Sequence, residues 1–169
     1  MTIQAVAADA APATVSRPSE RVLRTAAALL ALGGVGVATY IAIADSGSGA
    51  PACLAGSHGC ETVANSRYSH LAGIDVAVLG AGGYVALLLT SIARGDPARV
   101  AGLGLALIGF GFSAYLTYLE LFVIDAICQW CVASACLMTL LLVVNVWRAL
   151  AYGGRDQSAA TRGAKTEPG

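Results

Sequence analysis

Four long runs without a charged residue constrain what this chain of 169 residues can fold into. The runs are 18 to 22 residues long and cover residues 25–44, 76–93, 100–119 and 126–147. A helix rises about 1.5 Å per residue, so about twenty apolar residues cross a hydrocarbon core of about 30 Å. The runs are too long for ordinary β-strands and show no alternation of apolar and polar residues. They predict four transmembrane helices, which we place at about 23–44, 75–93, 99–120 and 127–148.

The composition agrees with a membrane protein. Charged residues make up 12% of the chain and hydrophobic residues 57%, whereas a typical soluble domain is about 25% charged. Because so few charges are available to cover a surface that faces water, a soluble globular fold is not expected. Ten basic and ten acidic residues give a formal net charge of zero, which argues against a nucleic-acid-binding protein that relies on a basic face.

The basic residues are distributed unevenly around the four predicted helices. One side holds Arg67 alone, and the other side holds the remaining nine: Arg17, Arg21, Arg24, Arg94, Arg99, Arg148, Arg155, Arg162 and Lys165. Under the positive-inside rule both termini are then cytoplasmic, and the long loop at 45–74 lies outside. We expect an all-α membrane protein, a four-helix transmembrane bundle over residues 21–150. Disordered cytoplasmic tails are expected at 1–20 and 151–169.

The first run could instead be a cleaved secretory signal, because Ala42 and Ala44 form a small-residue cleavage pattern at its end. The apolar part of a signal peptide is about 7 to 15 residues long. This run has twenty residues, which favours a retained transmembrane helix.

Four of the five cysteines fall on the predicted outer side. Cys53 and Cys60 lie in the outer loop, and Cys128 and Cys131 form a C-x-x-C motif at the start of the fourth helix. The outer side is the oxidising one, where dithiols can cycle to disulfides. Unpaired N–H groups at a helix start stabilise a thiolate, so we expect Cys128 to be the activated and more exposed thiol and Cys131 to point into the bundle. The two pairs indicate redox chemistry.

Other interpretations of the cysteines are possible. Two structural disulfides would suit a non-catalytic membrane subunit. His58 together with Cys53 and Cys60 could contribute to a zinc site, but the spacing matches no usual zinc motif, so no metal is expected. Cys136, within an apolar run, is most simply a small core residue.

Small residues recur along the third run. Gly109, Ser113 and Thr117 share one helical face, and Gly102 and Ala106 share another. Small side chains let helices approach closely in lipid, so we expect both faces to form helix contacts.

The order of the cysteines and their neighbours resembles that of the vitamin K epoxide reductase family. Ser66 stands six residues after Cys60, a stretch from Gly73 to Gly80 enters a predicted helix, and the sequence CQWC opens the last one. The similarity runs from about residue 20 to residue 150. It implies a four-helix transmembrane bundle that surrounds a quinone near the outer face.

The resemblance implies a role for each motif residue. Cys128 and Cys131 would be the active-site dithiol, with Cys131 next to the quinone. Cys53 and Cys60 would be the shuttle pair, in which Cys53 meets the partner and Cys60 exchanges with Cys128. The Ser66 hydroxyl would support the quinone or the adjacent thiol chemistry.

Bacterial members of the family are quinone-linked thiol oxidases. The resemblance therefore implies a thiol oxidoreductase in the bacterial plasma (inner) membrane, active on the periplasmic or exterior side, that reoxidises a thioredoxin-like, DsbA-type partner for disulfide bond formation. Menaquinone or ubiquinone would accept the electrons. Many bacterial relatives carry a fused thioredoxin-like domain, and here only a polar tail follows Trp147, so we expect a separate partner protein.

Two enzyme alternatives use similar residues. Reversed electron flow would make the protein a quinone or quinone-epoxide reductase with the same cysteines. An unrelated bacterial family of four-span disulfide oxidases also uses two cysteine pairs and a quinone. In that family the C-x-x-C pair comes first, whereas here it comes last.

One position departs from the family pattern, and several aromatic residues stay ambiguous. Family members commonly have Pro where this sequence has Asp75, although Asp also favours a helix N-terminus. Four aromatic side chains could line a quinone pocket, but interfacial anchoring or packing is favoured for each: Tyr84, Tyr115, Tyr118 and Trp130.

Overall fold

Helices dominate the part of the chain that the computed structural model describes, which comprises residues 19–47, 51–53, 58–71 and 73–152. In chain order the elements are α1 Glu20–Gly47, α2 Gly59–Ala64, β1 His70–Leu71, β2 Ile74–Asp75, α3 Val76–Ile92, α4 Asp96–Phe122 and α5 Gln129–Tyr152. The predicted tails lie outside the described residues, except that α1 begins at Glu20 and α5 continues through Tyr152.

Three of the described helices are long and apolar enough to cross a membrane: Glu20–Asp45, Asp96–Phe122 and Gln129–Ala151. Helix α3 is also apolar but has 17 residues, which is shorter than the roughly twenty that span a hydrocarbon core. Large apolar side chains such as Leu29, Leu89 and Leu150 are exposed on the helix surfaces, as expected where lipid covers them. The protein is a helical membrane protein, and four spans stay a prediction.

The four long helices contact one another in a closed order. Helix α1 packs against α3 and α5, and α4 packs against the same two helices. The core between them consists of Ala27, Ala31, Ala38, Tyr84, Leu87, Ala106, Met138 and Leu141. Small residues allow close approach here, because a Cβ at Gly34 would lie only 2.2 Å from the ring of Tyr84.

The two small-residue faces of α4 differ in what they contact. Gly102 and Ala106 are buried, and a Cβ at Gly102 would lie 2.9 Å from Oδ1 of Asn145 on α5. That face is the predicted helix contact. Ser113 and Thr117 instead line a cavity, so the prediction of a second packing face is wrong for them.

Charged side chains connect the helices at the end where α1 begins and α5 finishes, which we call the arginine end. Arg24 donates hydrogen bonds to two carbonyls at the end of α3. Arg99 pairs with Glu20 at 3.0 Å, and Arg148 is 1% exposed. The cysteine motif at the start of α5 lies at the opposite end of the bundle.

A short hairpin leads into α3. Strand β1 pairs antiparallel with β2, with His70 opposite Asp75, and Gly73 has a φ of 83°, which glycine tolerates best. The Asp75 carboxylate accepts a hydrogen bond of 2.7 Å from the Ala77 N–H. Asp75 is therefore the N-cap of α3, which agrees with its preference for a helix N-terminus.

Candidate active site

A cavity of about 370 Å³ lies among the helices at the end opposite the arginine end. Its walls are mostly apolar and come from α1, α2, α3, α4, α5 and the loop that follows α2. Such a cavity is within the usual size range for a small-molecule site. Its lining includes cysteines of both motifs as well as polar side chains.

The cavity brings together four of the five site residues predicted from sequence. Cys60, Ser66, Cys128 and Cys131 line it. Cys53 does not, but it forms a disulfide with Cys60, with a Cα–Cα distance of 5.9 Å. All five residues are thus part of one site or bonded directly to it.

The disulfide joins a partly accessible residue to a buried one. Cys60, in the first turn of α2, is 1% exposed, whereas Cys53 is half-buried. The Cys60 N–H donates a hydrogen bond of 3.3 Å to the Cys53 sulfur. Cys53 is therefore the member of the pair that can be reached from the surface, and Cys60 is enclosed.

Helix α2 sits directly on the segment that leads into the C-x-x-C motif. A Cβ at Gly59 would lie 2.3 Å from the carbonyl oxygen of Ile127. Only glycine permits this approach, because real Cβ atoms are not found so close to a backbone oxygen. The contact holds the disulfide of α2 beside the start of α5.

Trp130 links α5 to the segment that carries Cys53. Its Nε1–H donates a hydrogen bond of 3.0 Å to the carbonyl oxygen of Ala52. Its ring packs against Tyr40 of α1, with centroids 4.7 Å apart. Trp130 therefore positions the residue next to Cys53 and is not among the residues that line the cavity.

The other three aromatic candidates divide between the cavity and the surface. Tyr115 and Tyr118 are about half exposed and do not line the cavity, in agreement with anchoring. Tyr84 does line it, and its hydroxyl donates to the Ser134 carbonyl at 2.9 Å. Because that hydroxyl is already bonded to α5, Tyr84 stabilises the wall of the cavity.

Cys128 and Cys131 are free thiols in the structure. Cys128 is 2% exposed and Cys131 is half-buried, so the prediction that Cys128 is the more exposed thiol is wrong. The reason is tertiary, since α2 covers the segment just before Cys128 through the Gly59 contact.

Cys128 is nevertheless activated. A hydrogen bond from the Cys131 thiol is the largest cause that lowers the pKa of Cys128 from 9.0 to about 7. The backbone N–H groups of Cys131 and Trp130 lower it further, while burial and the charge of Glu120 oppose the change. The helix start contributes as predicted, but the neighbouring thiol contributes more.

Glu120 also belongs to the site, although it was not predicted as a site residue from the sequence. It lies near the end of α4, is 4% exposed and lines the cavity. Its carboxylate accepts a hydrogen bond of 3.2 Å from the Cys128 N–H, and the Cys131 thiol interacts with it. The available signal was an acid at the edge of an apolar run, eight residues before a C-x-x-C motif.

Ser66 presents an unused hydroxyl to the cavity. Its Oγ is buried and has no hydrogen-bond partner within the part of the chain that the structure describes. An unpaired buried polar group costs about 1–3 kcal/mol, so a bound molecule with an acceptor oxygen would recover that energy. A quinone fits this arrangement, since its carbonyls accept hydrogen bonds and its ring and tail suit apolar walls.

Cys136 and His58 lie outside the site. Cys136 is exposed on α5, so its prediction as a core residue is wrong. The exposed His58 pairs with Glu61 at 3.7 Å. Within the described ranges, no group of three or more His, Cys, Asp or Glu side chains is arranged to hold a metal ion.

The chain matches the model of a known protein family. Residues 22–146 match the model of the vitamin K epoxide reductase family. The matched range includes both cysteine pairs, Ser66 and Glu120. No curated protein matches the chain.

Proposed function

Because this chain belongs to the vitamin K epoxide reductase family, we propose that it is a quinone-dependent thiol oxidoreductase that reoxidises a thioredoxin-like protein for disulfide bond formation. Members of the family are oxidoreductases that generally use quinones.

One observation carries the proposal. A disulfide sulfur, Cys60, and two free thiols, Cys128 and Cys131, line a single cavity. Thiol–disulfide exchange requires a thiolate next to a disulfide, and Cys128 has a pKa of about 7. Two structural disulfides would not leave a pair of thiols, one of them activated, beside the other pair.

The first exchange takes place at Cys53. A thiolate of the reduced partner attacks the Cys53 sulfur, a mixed disulfide forms, and Cys60 leaves with the electron pair of the broken bond. The second thiol of the partner then resolves the mixed disulfide. The partner leaves oxidised, and Cys53 and Cys60 are reduced. The greater accessibility of Cys53 over Cys60 supports this order.

The second exchange passes electrons inward. The Cys60 thiolate attacks Cys128 of an oxidised Cys128–Cys131 pair, and Cys53 then attacks Cys60 to release Cys128. The Cys53–Cys60 disulfide is restored, and Cys128 and Cys131 become a dithiol. In the structure, Cys53 and Cys60 form a disulfide, and Cys128 and Cys131 are free thiols.

A quinone bound in the cavity would supply the oxidising power, accepting two electrons and two protons to become a quinol. Cys131 and the Ser66 hydroxyl both line the space it would occupy. Ser66 would donate a hydrogen bond to a carbonyl oxygen, and the apolar walls would exclude water. Menaquinone and ubiquinone both satisfy these requirements.

We place the cysteine end on the outer face of a bacterial inner membrane, with both termini cytoplasmic. The positive-inside rule supports this orientation, because nine of the ten basic residues fall on the side predicted to be cytoplasmic. Helix α3 would then cross the membrane as well, giving four spans, and would enter it directly after the β1–β2 hairpin. The partner would be a separate protein on the outer face.

A quinol-formation assay tests the proposal. The purified protein is mixed with a reduced thioredoxin-like protein and a quinone, and quinol is followed by absorbance. We expect Cys131→Ala to abolish quinol formation and Cys136→Ala, an exposed cysteine on the same helix, to match the wild type. Quinol formation at the wild-type rate by Cys131→Ala would refute the mechanism.

A further inference from the structure

Glu120 is a buried acid for which the two exchange steps above give no role. It is 4% exposed and accepts a hydrogen bond from the backbone of Cys128 at 3.2 Å. A buried carboxyl is costly unless it is paired, and ionisable groups within membrane helices are commonly functional. Glu120 also interacts with the thiol of Cys131, the residue that becomes a thiol at the end of the second exchange.

The second exchange moves a proton as well as electrons. When the Cys60 thiolate attacks Cys128, the Cys60–Cys128 bond forms and the Cys128–Cys131 bond breaks. The electron pair of the broken bond leaves with Cys131. A thiolate in a mostly apolar cavity is poorly solvated, so a proton donor next to Cys131 would lower the barrier of this step.

We propose that Glu120 supplies this proton and later takes it back, an inference that rests on the proposed function. Protonated Glu120 transfers its proton to Cys131 as the Cys128–Cys131 bond breaks, and Glu120 becomes a carboxylate. The structure matches the state that follows, in which Cys131 is a thiol and a Glu120 oxygen accepts the Cys128 N–H.

Reoxidation of the dithiol reverses the proton transfer. Cys131 returns its proton to Glu120, the Cys128–Cys131 bond forms again, and two electrons pass to the quinone. The two protons that complete the quinol come from water, which receives two from the dithiol of the partner. Glu120 therefore ends each cycle in its starting state, and protons and electrons balance.

Other titratable groups line the cavity with Glu120: Asp45 on α1, Tyr68 in the loop, Asp75 and Tyr84 at α3, and Cys128 and Cys131 at α5. The Asp75 carboxylate is already the N-cap of α3, and the Tyr84 hydroxyl is already bonded to α5. Of these groups, the two cysteines interact with Glu120. Glu120 is therefore the acid placed to exchange a proton with Cys131.

A quinone-free exchange assay tests the inference. Fully oxidised protein in detergent is mixed with a small dithiol, the reaction is stopped with acid and an alkylating reagent, and labelled Cys131 is quantified by mass spectrometry from pH 5 to 9. Glu120→Gln can keep the hydrogen bond from the Cys128 N–H but cannot donate a carboxyl proton. Glu61→Gln makes the same change at an exposed position and is the matched control.

We expect Glu120→Gln to slow the appearance of the Cys131 thiol by about 10- to 100-fold at neutral pH, in the range of a lost general acid. In the wild type the rate should fall at high pH, because Glu120 loses the proton that it donates. This decrease should be absent in Glu120→Gln, and a purely structural role for Glu120 would not explain its absence. Glu61→Gln should match the wild type. A folded Glu120→Gln protein with the wild-type rate and pH profile would overturn the inference.

A second variant covers the case in which Glu120→Gln does not fold, as judged by thermal unfolding in detergent. Glu120→Asp keeps the acid but withdraws it by one methylene, so we expect a several-fold slower rate with the decrease at high pH retained. An unchanged rate would count against proton transfer. This assay contains no quinone, so a negative result for Glu120 can be told apart from a failure of the proposed function. The latter would appear as a lack of quinol formation by the wild-type protein.

Discussion

The Cα of Gly59 lies so close to the Ile127 carbonyl that an added Cβ would stand 2.3 Å from the oxygen. This contact between α2 and the segment before α5 sets the spacing between the two cysteine pairs. It also covers the start of the C-x-x-C motif, because Cys128 directly follows Ile127 and is 2% exposed.

Gly59→Ala should therefore separate the cysteine pairs. The methyl group forces α2 away from Ile127, and a displacement of about 1 Å can cost up to about 100-fold in rate. We expect at least about tenfold slower reduction of Cys131 by a small dithiol that acts through Cys60, measured by alkylation and mass spectrometry. Gly82→Ala is the control, since nothing lies within 4 Å of a Cβ there, and an effect as large as that of Gly59→Ala would contradict the explanation.

The reactivity of Cys128 should depend on pH with a midpoint near 7. Its pKa is lowered from 9.0 to about 7, so about half of Cys128 is thiolate at pH 7, against about 1% for an unperturbed thiol. Alkylation of reduced protein, followed at the Cys128 peptide, should rise with pH through about 7. In Cys131→Ala, which lacks the largest cause of the lowered pKa, the midpoint should move upward. A wild-type midpoint near 9 would contradict the assigned hydrogen bond.

Ser66→Ala should weaken quinone binding without harming the fold. The Ser66 hydroxyl has no partner among the described residues, so its loss should leave the thermal unfolding temperature unchanged or slightly higher. A lost hydrogen bond of about 0.5–1.5 kcal/mol corresponds to a KM for quinone about 2- to 13-fold higher. Ser69→Ala is a useful contrast, because its hydroxyl donates to the Ser66 carbonyl at 2.9 Å, and it should lower stability. An unchanged KM for Ser66→Ala would remove Ser66 from the quinone site.

Gly34→Ala should destabilise the bundle. A Cβ would lie 2.2 Å from the Tyr84 ring, and the ring is 1% exposed, so it has little space to move. Overpacking of this kind costs about 1–3 kcal/mol, measurable by thermal unfolding in detergent. Gly36→Ala, with nothing within 4 Å, should be neutral or stabilising because alanine favours helices. Equal stability of the two variants would show that α1 and α3 do not pack as described.

The helices were predictable from sequence because each uncharged run is a continuous physical signal. The observed ends of the four long helices lie within a few residues of the predicted ones, as at α3, predicted at 75–93 and found at Val76–Ile92. Charges and caps such as Asp75 mark these ends locally. Such signals need no knowledge of the tertiary structure.

Burial within the site was not predictable in the same way. The position of Cys128 at a helix start correctly indicates activation, but its exposure depends on α2, which arrives from a distant part of the chain. In the sequence, Glu120 is simply a charge at the edge of a predicted span. Its place in the site depends on its interactions with Cys128 and Cys131. The spacing of Ser113 and Thr117 is typical of helix packing. They line the cavity instead, which depends on how the helices are arranged around them.

Exchange between the two cysteine pairs can be tested directly by trapping. In a Cys53→Ala, Cys131→Ala double variant, Cys60 and Cys128 lose their usual partners, and mild oxidation should join them in a disulfide that mass spectrometry of unreduced peptides detects. Cys136 remains as an internal competitor and should stay free. A Cys60–Cys128 link at high yield is the predicted result. Free Cys60 and Cys128 after oxidation, or a Cys60–Cys136 link in their place, would contradict the proposed electron path.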